Sequence, residues 1–179
     1  MDIARARHHA VGLAVADAAL RMDPALRVEH LVAVNESRAS SRGRRHARWA
    51  LVRATSASES VLESVDRAVL EWLGFPEPHL QVWVGGDRVD KYWRHYRIAG
   101  EADGDLKYDG RFGDPREAMR ARHARDARLI AAGVSAVPHW GWSETIAADP
   151  LAALLLSAGL PLVRPREHAP LQSLRRLMS

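Results

Sequence analysis

No cysteine occurs among the 179 residues. That excludes a disulfide framework, a thiolate zinc site and a cysteine nucleophile, so any metal must sit on oxygen or histidine. It also fits a reducing compartment, and a cytoplasmic location is the expectation. Lysine is nearly missing too: only Lys91 and Lys107 stand beside twenty-four arginines. No long hydrophobic run exists. Leu151 to Leu156, continued by Ala158-Gly159-Leu160, falls short of the ~20 apolar residues a spanning helix needs, and Asp17 interrupts the apolar stretch near the N-terminus. The expectation is no membrane partner, no signal peptide and no anchor. Histidine-rich metalloprotease motifs, P-loops, dinucleotide fingerprints and nucleophile elbows are likewise not found.

What remains is an ordinary globular composition, 47% hydrophobic and 27% charged, of a length suited to one domain with a helical extension. The arginine excess follows in part from a GC-rich coding bias. Arginine is nonetheless the better residue for gripping phosphate, because its planar fork makes paired bonds. A polyanionic partner is allowed.

Three Asp-Pro pairs, at Asp23, Asp114 and Asp149, read as helix openings, since aspartate caps free N–H groups and proline fits the first helical position. Helices are expected over 2–21, 24–36, 41–54 and from 56–60 to Gly74, where Ser56/Glu59 and Ser60/Glu63 both match a capping box. Pro76 and Pro78 then change the pattern to strands at 80–84, 88–93 and 97–103, with a Gly85-Gly86-Asp87 turn between the first two. A long helix over 115–132, a strand over 134–142 with Pro138 marking an edge or bulge, and a helix over 150–157 follow. The tail past Pro165 reads as loosely attached. The expected class is α/β, helices followed by αβββαβα, with an Arg-rich extension at 1–55, a core domain at 56–163 and a tail at 164–179.

The acidic group Asp90, Glu101, Asp103, Asp105 carries the most chemistry. If the second and third strands turn around His95-Tyr96, Trp93 pairs with Ile98 and Asp90 falls opposite Glu101. Opposed residues share a face, with Cβ atoms ~4.5–5.5 Å apart. Two carboxylates so close need a positive partner: a hard cation such as Mg²⁺ or Mn²⁺, or arginines such as Arg88, Arg94 or Arg97. Separately, Arg38, Arg42, Arg44, Arg45, Arg48 and Arg53 run between Glu36 and Glu59 with no acid among them. With Trp49 they read either as a solvated helix face or as a track for a nucleic-acid backbone.

Leu62-Glu63-Ser64, Gly74-Phe75-Pro76-Glu77-Pro78 with Gln81, Arg88-Val89-Asp90, and Gly100-Glu101-Ala102-Asp103-Gly104 with Lys107-Tyr108 occur in that order. The set resembles the Vsr-like branch of the PD-(D/E)XK restriction-endonuclease superfamily. More narrowly, it is similar to the C-terminal domain of bacterial AbiEi-type antitoxin-like proteins, over about residues 58–160, with Gly133 and Trp140-Gly141-Trp142 continuing the match. The resemblance implies a restriction-endonuclease-like αβββαβ core and Mg²⁺-dependent hydrolysis of DNA phosphodiesters. It implies metal ligands at Glu63, Asp90 and Glu101. The position of the family's catalytic lysine holds Asp103, which would add a ligand or orient water, with Lys107 compensating charge. Glu63 has a second reading, as a capping residue or a partner of Arg67, and Gln81 reads as a site residue or a surface one. Arg42, Arg44, Arg45, Arg48, Arg120 and His123 would contact DNA. A homodimer or a separate DNA-reading partner is compatible, because the winged helix of the resembled proteins is not recognised in 1–55. The alternative is a catalytically inactive DNA-binding or toxin–antitoxin regulatory protein on the same fold.

Overall fold

The computed structural model describes residues 1–103 and 114–178. They form two compact units: Met1–Trp72 joined by the segment from Glu167 onward, and Leu73–Arg166.

The first unit is helical: α1 (Asp2–Ala6), α2 (His9–Met22), α3 (Val28–Ser37), α4 (Arg44–Leu51), α5 (Val61–Leu73), which ends at the unit boundary, and α9 (His168–Met178). The single helix expected over 2–21 is two, because the chain turns extended at Arg7 and the His8 ring caps α2 by accepting from the Ala10 N–H. Small residues set the helix spacing: a Cβ on Gly12 would lie 3.2 Å from the Ala4 Cα and 3.4 Å from the Ala50 Cβ. Asp17, buried on α2, ties this unit together. It accepts from the Thr55 N–H at 2.8 Å and pairs with Arg67 of α5 at 2.9 Å. Burial pushes its carboxyl above the usual range against the pull of Arg67.

The expected capping at Ser60 opens α5, whereas Ser56 opens no helix. Asp23-Pro24 makes a turn, and α3 begins later, at Val28. The tail is not loose: α9 buries Leu171 and Leu174 at i and i+3, which holds it to the unit.

In the second unit β1 (His79–Val84), β2 (Asp87–Trp93) and β3 (Ile98–Ala102) are antiparallel neighbours. β4 (His139–Trp140) lies parallel to β3, giving the order β1-β2-β3-β4 and a mixed sheet. α6 (Pro115–Ala131) precedes β4; α7 (Trp142–Ala147) and α8 (Asp149–Ser157) follow it. Asp114 caps α6 by accepting from the Arg116 N–H at 2.9 Å. The strand expected over 134–142 is shortened to two residues. Pairing with β3 begins at the Ser135 N–H, which donates to the Arg97 carbonyl at 2.7 Å, but Pro138 offers no N–H and Trp142 already starts α7. Val89, Ala99, Leu129 and Val134 form a core between sheet and α6, flanked by Val82, Val84, Tyr92 and Val137.

Candidate functional site

Trp93 pairs with Ile98 and Lys91 with Gly100, and the same register carried one residue further sets Asp90 opposite Glu101. On the outer side Leu80 pairs with Lys91 and Val82 with Val89, which places Gln81 opposite Asp90; on the inner side Glu101 pairs with His139. Gln81, Asp90, Glu101 and His139 therefore form one row across all four strands. Gln81 adopts φ 51°, a left-handed conformation rare for a side chain other than Gly, Asn or Asp, and this sets β1 apart at the row's edge. The Asp90 carboxylate accepts from the Ala102 N–H at 3.0 Å, so the antiparallel ladder ends in a side-chain bond.

The positive partner of this row comes from α6. Arg125 donates to Glu101 Oε1 at 2.9 Å and to the Arg88 carbonyl, and its Nε lies 3.9 Å from Asp87. Glu101 is buried, and that burial raises its carboxyl above the usual carboxylate range. Arg125 pulls it back, while Asp90 adds to the rise. One turn along, Arg128 makes paired bonds to Asp87 at 2.7 and 2.9 Å and holds that carboxyl low.

Asp103 meets His139 Nδ1 at 2.8 Å and Arg122 at 3.4 Å, and the other face of the ring meets Asp126 at 3.1 Å. Both imidazole nitrogens thus face carboxylates. The residues at 122, 125, 126 and 129 share one stripe of α6 by helical spacing, and Leu129, fully buried, marks it as the inward one. That stripe supplies Arg122, Arg125 and Asp126 to the row.

Glu63 lies in the first unit, on α5. Its carboxylate accepts from the Glu59 N–H at 2.9 Å while its own N–H donates to Ser60 Oγ at 3.1 Å. This is a variant of the expected capping arrangement, reaching one residue before Ser60. Arg67, the other partner considered for Glu63, bonds to Asp17, Ser58 and the Arg53 carbonyl. Lys107 falls outside the described residues. Of the acid-free run, Arg38 pairs with Asp2, Arg44 and Arg48 with Glu36, and Arg53 with Glu71. Arg42 and Arg45 are exposed, as are Arg120 and His123 on α6.

Glu101 already holds a guanidinium, Asp103 holds His139 and Arg122, and among the described residues no group of three or more His, Cys, Asp and Glu is arranged to hold a metal ion. Among the described residues no helix is long and apolar enough to cross a membrane. Residues that sequence reasoning did not single out are His139, Asp126, Asp87 and Arg125. No family model, no curated protein and no solved structure matches the chain.

Proposed function

We propose that this chain binds nucleic acid without cutting it: a nuclease-like sheet whose acidic row is neutralised from within, serving a regulatory role of the toxin–antitoxin kind. The element order α5, β1, β2, β3, α6, β4 and the Asp90–Glu101 register support the restriction-endonuclease-like core that the resemblance implies. The bond from Arg125 to Glu101 carries the inactive reading, because a guanidinium stands where a ligand pair would need a cation. On the outward side of α6, Arg116, Arg120 and His123 recur at helical spacing and are exposed, with the arginines making no ion pair among the described residues. They form the surface for phosphates. Anisotropy of a labelled duplex, titrated in EDTA and again in Mg²⁺, tests this: equal, salt-sensitive binding in both is expected, and no binding at low salt defeats it.

One observation favours a second reading, a Mg²⁺-dependent endonuclease. Asp90 and Glu101 are opposed like charges, and their repulsion helps to lift the Glu101 carboxyl. A divalent cation would relieve that repulsion, provided Arg125 withdrew.

A further inference from the structure

The first unit holds a cleft of about 940 Å³ at the junction of α1 and α2, the start of α4 and α9. Its volume lies in the range of small-molecule sites. Two features distinguish it from an ordinary surface groove. The first is a cluster of flat rings: His9 stacks on His46 with centroids 3.7 Å apart and meets Trp49 at 4.9 Å, and Trp49, with Arg53 over its ring, stacks on the buried Trp72 at 5.3 Å. The second is charge. Arg7 and Arg42 line the cleft, both exposed, and their guanidinium groups have no hydrogen-bond or ion-pair partner among the described residues. Glu167 is the one acid among the described lining residues.

The arrangement is held in advance of any ligand. Arg5 donates to Asn35 Oδ1 at 2.8 Å and to the Ser40 carbonyl at 2.7 Å, which fastens the segment carrying Arg42 to α1. Gly43 completes that fastening: it sits at φ 69°, and a Cβ there would fall 2.3 Å from the Arg5 carbonyl oxygen. His46 Nε2 bonds the Arg7 carbonyl, fixing the backbone at the second arginine. Burial and the neighbouring cations hold His9 down to about 4, so at neutral pH its ring is an uncharged, stackable surface. The uncharged His9 ring and the Trp49 indole share this cleft with two guanidiniums that have no partner among the described residues, which suits a ligand flat at one end and anionic at the other.

We propose that this cleft binds a phosphorylated nucleoside, its base against the half-buried His9, His46 and Trp49 rings and its phosphate on Arg7 and Arg42. The ligand is either a free mononucleotide or the 5′-phosphorylated end of a strand. The proposal does not depend on the reading of the sheet in the second unit.

Calorimetry on the full chain separates these cases, using the four common nucleoside monophosphates, short single strands with and without a 5′-phosphate, adenosine, and inorganic phosphate. Binding of a monophosphate at about 1 mM or tighter, at least ~10-fold better than adenosine or phosphate alone, supports a mononucleotide site. Binding confined to 5′-phosphorylated strands supports a strand-end site. Arg7→Ala and Arg42→Ala, both at exposed positions that leave the core intact, are each expected to weaken binding about 10-fold through loss of a charge-assisted bond. Three results overturn the proposal: no heat with any phosphorylated ligand, phosphate alone binding as well as nucleotides, or affinity unchanged in the Arg7→Ala/Arg42→Ala double variant.

Discussion

Glu101 and Arg125 are placed so that each makes the other necessary. A buried carboxylate beside another acid is costly unless a cation compensates it, and removing one partner of such a pair exposes the full desolvation cost of the other. Arg125→Ala is therefore expected to destabilise the fold by about 3 kcal/mol, read from denaturant unfolding, with the Glu101 carboxyl rising further. The sign of the pH effect follows from the raised value. Because Glu101 holds its proton more tightly folded than unfolded, its contribution to stability is full below the ordinary carboxylate range and is lost as pH rises through its own raised value. Asp90→Asn keeps an acceptor for the Ala102 N–H but removes the like charge, so the Glu101 value falls and that window narrows. Unfolding free energies of wild type and Asp90→Asn are expected to separate in favour of the variant as pH rises through the mildly acidic range, and curves that stay parallel would show that Asp90 does not act on Glu101. The opposition of Asp90 and Glu101 was legible in the sequence because a short hairpin fixes it locally. Arg125 was not, because its partner lies across the sheet. Only the inward stripe marked by Leu129 distinguishes it from the other arginines of α6.

At the scale of elements, local signals and tertiary constraint divide the outcome. The apolar periodicity of α5, the glycine turn after β1 and the Asp114-Pro115 opening of α6 all report on neighbours a few residues away, and the chain follows them. The break between α1 and α2 and the brevity of β4 answer to packing and to Pro138, and periodicity does not report them. α9 is the sharpest case. A Pro- and Arg-rich flank hid the spacing of Leu171 and Leu174, which are 6% and 2% exposed. Leu174→Ala should cost about 2–4 kcal/mol, measured as a lowered unfolding midpoint, whereas a loosely attached tail would lose almost nothing. The sheet has its own constraint at Gly100. A Cβ there would lie 2.6 Å from the Trp140 ring and 2.9 Å from the Trp93 ring, so Gly100→Ala should destabilise by roughly 2 kcal/mol through overpacking. A melting temperature equal to wild type would show that the two rings are not packed on this strand.

For the molecule as a whole, composition alone obscures which arginines are paired. Arginines that looked uncompensated in sequence reach acids from elsewhere: Arg38 to Asp2, Arg48 to Glu36, Arg53 to Glu71. Those left facing solvent, Arg116 and Arg120 on α6 among them, are the ones available to phosphate. If they bind it, the Arg116→Ala/Arg120→Ala double variant should reduce the slope of log affinity against log salt by roughly 2, with no change in sequence preference. An unchanged slope would move the contact surface elsewhere. The proposed function has Arg125 on Glu101 where a metal would otherwise sit, and nucleic acid bound but left whole. The direct measurement is incubation of supercoiled plasmid with the purified chain in Mg²⁺ and in Mn²⁺ at concentrations where binding is saturated. Plasmid retarded but intact is the predicted result. Nicked or linear plasmid that disappears with EDTA and with the Asp90→Ala/Glu101→Ala variant would contradict it and establish the endonuclease instead.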